Sequence, residues 1–297
     1  MRAGESTAAG ATIFFVLVGS GTERKSEIRM PKETRSSKSE SKRVRRHHSG
    51  WGNVSSLDIG RVAFNPWLVW QLMDSGFPTG SFAHSSGLEA AWQHGEVRGR
   101  DELVSFVQAS LDQQGHAGLP FVMAAFDQPE RLSELDELCE AFTINHVANR
   151  ASRAQGRAFL TAVERIFPAD DGRSERANSK QCQRLRTSAA AKKTEAPPFA
   201  HFAPIFGGCL RRLGISRRTA GKMFFFNQLR SVLTAAVRLN IVGPMEAQVL
   251  IRRLSAKAET VLKACERLTT NDIAQTAPLL DLWQGGQDRL YSRLFQS

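Results

Sequence analysis

An all-α fold is what this sequence predicts, and three observations predict it. Apolar residues recur at helical spacing after Trp51, capping residues and Gly-Pro breaks punctuate those stretches, and no comparable alternation of period two occurs. The 297 residues suffice for one large domain. We expect a single helical bundle over residues 57–297, preceded by a disordered extension over 1–56 and interrupted by a flexible insertion over 168–199.

The first helical signal after the extension lies in Phe77 to Gly95, "FPTGSFAHSSGLEAAWQHG". Pro78 and Gly80 shape a turn, and Thr79 or Ser81 can cap a helix running through Leu88 and Trp92 to Gly95, a C′ glycine. Ala83, Ser86, Gly87, Ala90 and Ala91 would let another helix approach closely. Further on, Asp101 precedes Leu103, Phe106, Val107 and Leu111, one buried face. Asp127 and Glu130 read as a capping box, with Pro129 in the first turn and Leu132, Leu135, Leu138, Cys139 and Phe142 on one stripe. After Ser216 the stripe is Phe225, Leu229, Val232 and Ala236; after Gly243-Pro244 it is Leu250, Leu254, Ala258, Val261, Cys265 and Leu268. From Pro168 to Pro198 large apolar residues almost vanish, so that stretch cannot bury enough surface to offset ordering.

The net charge of +11 suggests nucleic acid until its location is considered. Residues 1–50 hold 11 Lys/Arg against 5 Asp/Glu, and residues 168–200 hold 7 against 4, which leaves 22 against 20 elsewhere. Neither nucleic acid nor a membrane is therefore an expected partner. The apolar run Ala11 to Gly19 is far below the ~18 residues of a membrane span. The remainder is uneven, with 8 basic against 14 acidic residues over 51–167 and 14 against 6 over 201–297, which suits contact between the halves or with charged partners. The four cysteines form no C-x-x-C pair, and the histidines form no H-x-x-x-H, so no metal cage is indicated and a reducing, cytoplasmic setting is the default.

Ser81, His84 and Glu89 invite a nucleophile–base–acid reading. On a helix Glu89 points away from the other two, and neither a G-x-S-x-G elbow nor a phosphate loop is present, so no catalytic residue is assigned. Pro78, Gly80, Phe82, His84, Gly87 and Glu89 are taken as a structural motif. In "NRASRAQGRA", Arg150, Arg153 and Arg157 form a basic stripe beside Ala151, Ala154, Ala158 and Ala162. That stripe suits acidic groups of a partner, and Gly156 suits close packing. Arg238, Glu246 and Gln248 flank the break at Gly243-Pro244. The segment "QDRLYSRLFQS" offers Leu290, Tyr291, Leu294 and Phe295 with Arg289 and Arg293 beside them, so it is expected to bury against its own domain or a partner.

Together "QLMDSGFPTGSFAHSSGLEAA", "NRASRAQGRA", "HFAPIFG", "AAVRLNIVGPMEAQ" and "YSRLF", in that order over residues 66–297, resemble the UreF family of urease accessory proteins. The resemblance implies an all-α, dimeric, non-catalytic chaperone. It implies binding first to a UreD/UreH-type partner and then to a UreG-type GTPase, in an assembly that delivers nickel to apo-urease. Nickel and GTP would be handled by that complex, with no cofactor held stably here. The tail residues Tyr291, Arg293, Leu294 and Phe295 would dock the UreD/UreH-type partner, and Arg238, Glu246 and Gln248 would face the GTPase. The chain departs from the family at Gln296, where Arg is common, and at Gln287-Asp288, where His-Glu is frequent. Two alternatives remain at this level: a helical adaptor outside the urease system, and a hydrolase using Ser81 and His84.

Overall fold

Helix α1, Pro66–Met73, opens the folded part, started by Asn65, whose side chain accepts N–H bonds from Trp67 and Leu68. The computed structural model describes residues 65–168 and 197–297. The extension expected over 1–56 lies outside the described residues, as does the expected insertion apart from Pro168 and Pro197 to Phe199. Among the described residues there is no β-strand, so the all-α expectation holds.

A single 3-10 turn at Ser81–Ala83 leads to α2, Leu88–Gln93. The sequence reading expected one continuous helix here, and the structure corrects it. Gly80 and Gly87 both adopt positive φ, +67° and +87°, and each stands just before a short helical piece, so the path is broken in two. A Cβ on Gly87 would also lie 2.9 Å from the backbone nitrogen of Gln284, so this glycine admits a later helix as the small-residue face predicted. Gly95, with φ +76°, does close α2 as expected.

Helices α3 (Arg100–Ala117) and α4 (Leu119–Asp127) follow, and α3 buries the predicted Leu103, Phe106, Val107 and Leu111. The expected capping box at Asp127 does not form. Asp127 instead closes α4 and pairs with Arg217, and a 3-10 turn at Pro129–Arg131 leads into α5, Leu132–Phe142. Leu135 and Cys139 are buried in the predicted α5 stripe, whereas Leu138 is exposed. Helix α6, His146–Ile166, is capped by Asn145.

The chain re-enters at Pro197. Buried Asp136 on α5 accepts N–H bonds from Phe199 (2.8 Å), Ala200 (2.8 Å) and His201 (2.7 Å), turning the backbone through Ala200 at φ +60° into α7, Phe202–Arg212. A Cβ on Gly156 of α6 would overlap the carbonyl oxygen of Ala200, which confirms the close packing expected there. Helices α8 (Arg217–Arg238, capped by Ser216) and α9 (Pro244–Cys265, Pro at its first turn) bury the stripes read from sequence, except that Leu268 falls past the end of α9 and is half-buried. Helix α10, Pro278–Gly286, runs into a 3-10 turn at Gln287–Arg289.

The core lies where α4 and α7 meet, among α3, α6, α8 and α9. Phenylalanines dominate it: the Phe159 ring sits 5.2 Å from Phe206 and 5.9 Å from Phe202, and Phe224 continues the cluster. Each such ring stabilises the fold by about 1.5–3 kcal/mol through burial. This core carries the turn before α2 and the segment after α10 on one side of the molecule.

Candidate functional site

Glu89 stands in the first turn of α2, where a carboxylate suits the helix dipole, and is only 1% exposed. The segment after α10 satisfies it. The Leu294 N–H donates to Glu89 Oε1 at 2.6 Å, the Phe295 N–H to Oε2 at 3.1 Å, and the Gln287 amide to Oε2 at 2.5 Å. Further bonds extend this seam: Gln296 N–H to the Ala83 carbonyl (2.8 Å), Ser85 N–H to the Ser297 carbonyl (2.5 Å), and Gln93 to the Ser292 carbonyl (2.8 Å). His84 Nδ1 lies 2.6 Å from Ser297 Oγ. Burial, with the nearby Arg150 charge, holds the His84 pKa below its ordinary value.

Arg238, in the last turn of α8, ties the two strands of this seam together. Its guanidinium donates to the carbonyls of Phe82 (2.5 Å) and Leu294 (3.4 Å) and lies 4.2 Å from the centre of the Phe295 ring. The result is sorted by side chain. Phe295 is 4% exposed beneath Arg238, while Phe82 is 67% exposed, Leu294 59% and Tyr291 fully so. The tail is pinned by its backbone and by the Phe295 ring, and it offers Tyr291 and Leu294 outward.

The basic stripe of α6 meets the same segment through Asp288. Arg150 donates from Nη1 (3.1 Å) and Nη2 (2.8 and 3.1 Å), and Arg293 and His146 lie 3.0 and 3.2 Å away. The Arg150 hydrogen bond leads in holding the Asp288 carboxyl below the ordinary aspartate value. Arg153 instead approaches Glu140 at 3.6 Å and stacks 5.3 Å over Phe199, and Arg157 is exposed. Of the predicted site residues, the fold thus unites Arg150, Arg238, Tyr291, Arg293, Leu294 and Phe295 with Phe82, His84 and Glu89. Glu246 pairs with Arg100 at 3.4 Å at the start of α9, where Gln248 is exposed.

The geometry provides no hydrolytic relay. Ser81 Oγ accepts from Thr79, His84 is engaged with Ser297, and Glu89 is occupied by the tail. Among the described residues no group of three or more His, Cys, Asp and Glu side chains is placed to hold a metal ion. Burial pushes the Cys139 thiol up to about 12 and the Cys209 thiol to about 11, away from nucleophilic chemistry. A cavity of about 200 Å³ behind the seam is lined mainly by amides and hydroxyls, among them Gln113, Asn227, Gln228 and Ser231, and is polar enough for water.

The roles of Glu89, Gln287 and Asp288 were missed from the sequence. The available signal was an acid set among Leu88, Ala90 and Ala91 on a small, apolar helix face, which needs donors from elsewhere.

The UreF family profile matches residues 97–255. The chain is 39% identical to urease accessory protein F of Arabidopsis thaliana over 233 residues, covering 78% of this chain and 92% of the relative. It is 37% identical to urease accessory protein F of Oryza sativa subsp. indica, covering 77% and 84%. The chain belongs to the UreF family of urease accessory proteins. A UreF-like protein of Schizosaccharomyces pombe is also similar, at 30% identity over 76% of this chain and 94% of the relative. UreF proteins are accessory proteins and not enzymes.

Proposed function

We propose that this UreF chain bridges a UreD/UreH-type accessory protein and a UreG-type GTPase, and so matures the nickel centre of apo-urease. The observation that carries this reading is the pinned tail with Phe82, Tyr291 and Leu294 turned to solvent. Large apolar and aromatic side chains on a fixed backbone are what protein interfaces use as anchors, because little entropy is lost on binding. The UreD/UreH-type partner is assigned to this face, with Arg293 and Arg150 beside it for acidic groups. The GTPase is assigned to the start of α9, where Glu246 and Gln248 stand with exposed Met245 and Val249. Binding at one face changes affinity at the other through the helices between them, a coupling of sites and not bond chemistry on this chain.

A homodimer within the complex completes the reading. A groove of about 450 Å³ between α8 and α9, floored by Phe225, Leu229, Ala258 and Leu262, has half-exposed Phe226 at its edge. Lys222 and Glu259 pair at its rim, so both charge signs are available for a second copy. Among the described residues no helix is long and apolar enough to cross a membrane, and Cys139, Cys209 and Cys265 are free thiols. These features suit a cytoplasmic assembly in which nickel is cargo and GTP belongs to the GTPase; neither nucleic acid nor lipid is a partner in this reading. Co-expression with the two accessory proteins should yield a ternary complex, and the chain should restore urease activity to a strain lacking its own UreF. Failure of both would end the proposal.

A further inference from the structure

We propose that Glu89 is the positioning residue that holds the segment 287–297 in the shape in which it receives its protein partner. This rests on the reading of that segment as the docking element. Among the described residues Glu89 touches no cationic side chain; its carboxylate is met by the N–H groups of Leu294 and Phe295 and by the Gln287 amide. It therefore holds the tail through two main-chain N–H groups and one side-chain amide. Grasping two successive N–H groups with two oxygens fixes the local twist, which turns Phe295 inward and Leu294 outward.

The choice of a charged residue at a buried position has a physical consequence. An apolar residue in place of Glu89 would seal the tail in place or leave a greasy hole when it left. A carboxylate exchanges peptide N–H groups for water, so both the docked and the released tail satisfy it. Arg238 acts in the same way on the opposite side, reading the carbonyls of Phe82 and Leu294. Asp288 adds a third hold, through Arg150 of α6. Of the three, Glu89 alone is buried and contacts the residues between which the side chains divide into inward and outward sets.

The test uses the full chain and the Glu89→Gln substitution, which keeps size and replaces one acceptor oxygen by a donor facing an N–H. Hydrogen exchange of residues 291–297 should quicken by about tenfold or more, with α3 to α9 unchanged. Affinity for the UreD/UreH-type protein should fall by a similar factor. Tyr291→Ala, on a fully exposed side chain, should weaken binding by the wild-type chain yet add little in the Glu89→Gln background. Should Glu89→Gln fail to fold, a semisynthetic chain with a backbone ester at residue 294 removes the single N–H that meets Glu89 Oε1 and should reproduce both effects. Unchanged tail exchange, or a loosened tail with unchanged partner affinity, overturns the inference. If the wild-type chain bound no UreD/UreH-type protein, the function proposed above would fall and take the docking role of Glu89 with it; loss confined to the altered chains isolates Glu89.

Discussion

A buried carboxylate persists in a helical protein only where donors surround it, and Glu89 and Asp136 both meet that condition with backbone N–H groups. Neither arrangement was legible in the sequence, because each joins positions that lie far apart along the chain; only a fold says which N–H groups arrive. His84 has the same origin and carries a measurable consequence. Its folded pKa lies below the ordinary 6.5, owing to burial and then to Arg150. As pH falls, the unfolded chain takes up this proton first. The stability contributed by neutral His84 is therefore whole above about pH 6.5 and is lost as pH falls towards the depressed value. The urea midpoint of the wild-type chain should drop between pH 7.5 and 5.5 more steeply than that of His84→Gln; equal slopes would dismiss this role. The thiols give a second prediction. With pKa values pushed up to about 12 and about 11, Cys139 and Cys209 should resist iodoacetamide in the native protein and label only in denaturant, as peptide mass spectrometry reads out.

Among the elements, legibility followed the length of the apolar repeat. Helices α3, α8 and α9 bury the very stripes their spacing predicts, since 18 to 22 residues give the pattern several turns in which to declare itself. The short pieces misled. Asp127 and Glu130 have capping-box spacing, yet α4 runs on to Asp127 because its Phe121, Val122 and Phe126 are buried, and packing overrides a local signal worth about 1 kcal/mol. Likewise the stretch from Ser81 to Gly95 splits at Gly87, where α10 comes too close for a side chain. Gly156 is the decisive position on α6. In an isolated helix, replacing it with Ala would gain about 1 kcal/mol in propensity. Here the added methyl overlaps the Ala200 carbonyl, on the backbone that Asp136 holds in place. Gly156→Ala should therefore destabilise by about 1–3 kcal/mol in chemical denaturation, the usual range for overpacking. A more stable variant would show that α7 can shift away from α6.

For the whole molecule, the question is how stability and docking are divided. The uneven charge of the two halves finds partial use inside the fold, where Arg217 meets Asp127 and Lys257 meets Asp112; exposed pairs of this kind each contribute about 0–1 kcal/mol. Stability resides mainly in the phenylalanine cluster around Phe159 and Phe206, and the tail adds a single large core side chain, Phe295. Deleting residues 287–297 then removes one buried ring, that of Phe295, whose loss costs at most about 3–5 kcal/mol. It also uncovers Glu89 to water and so leaves no stranded charge. The truncated chain should keep its helical circular dichroism and unfold cooperatively at a lower urea midpoint. On the proposed function it should lose the UreD/UreH-type partner while retaining the α8–α9 groove, so sedimentation should still detect the self-association proposed for that groove. A truncated chain that bound the partner as tightly as the intact one would move the docking surface off the tail and onto Phe82 and its neighbours.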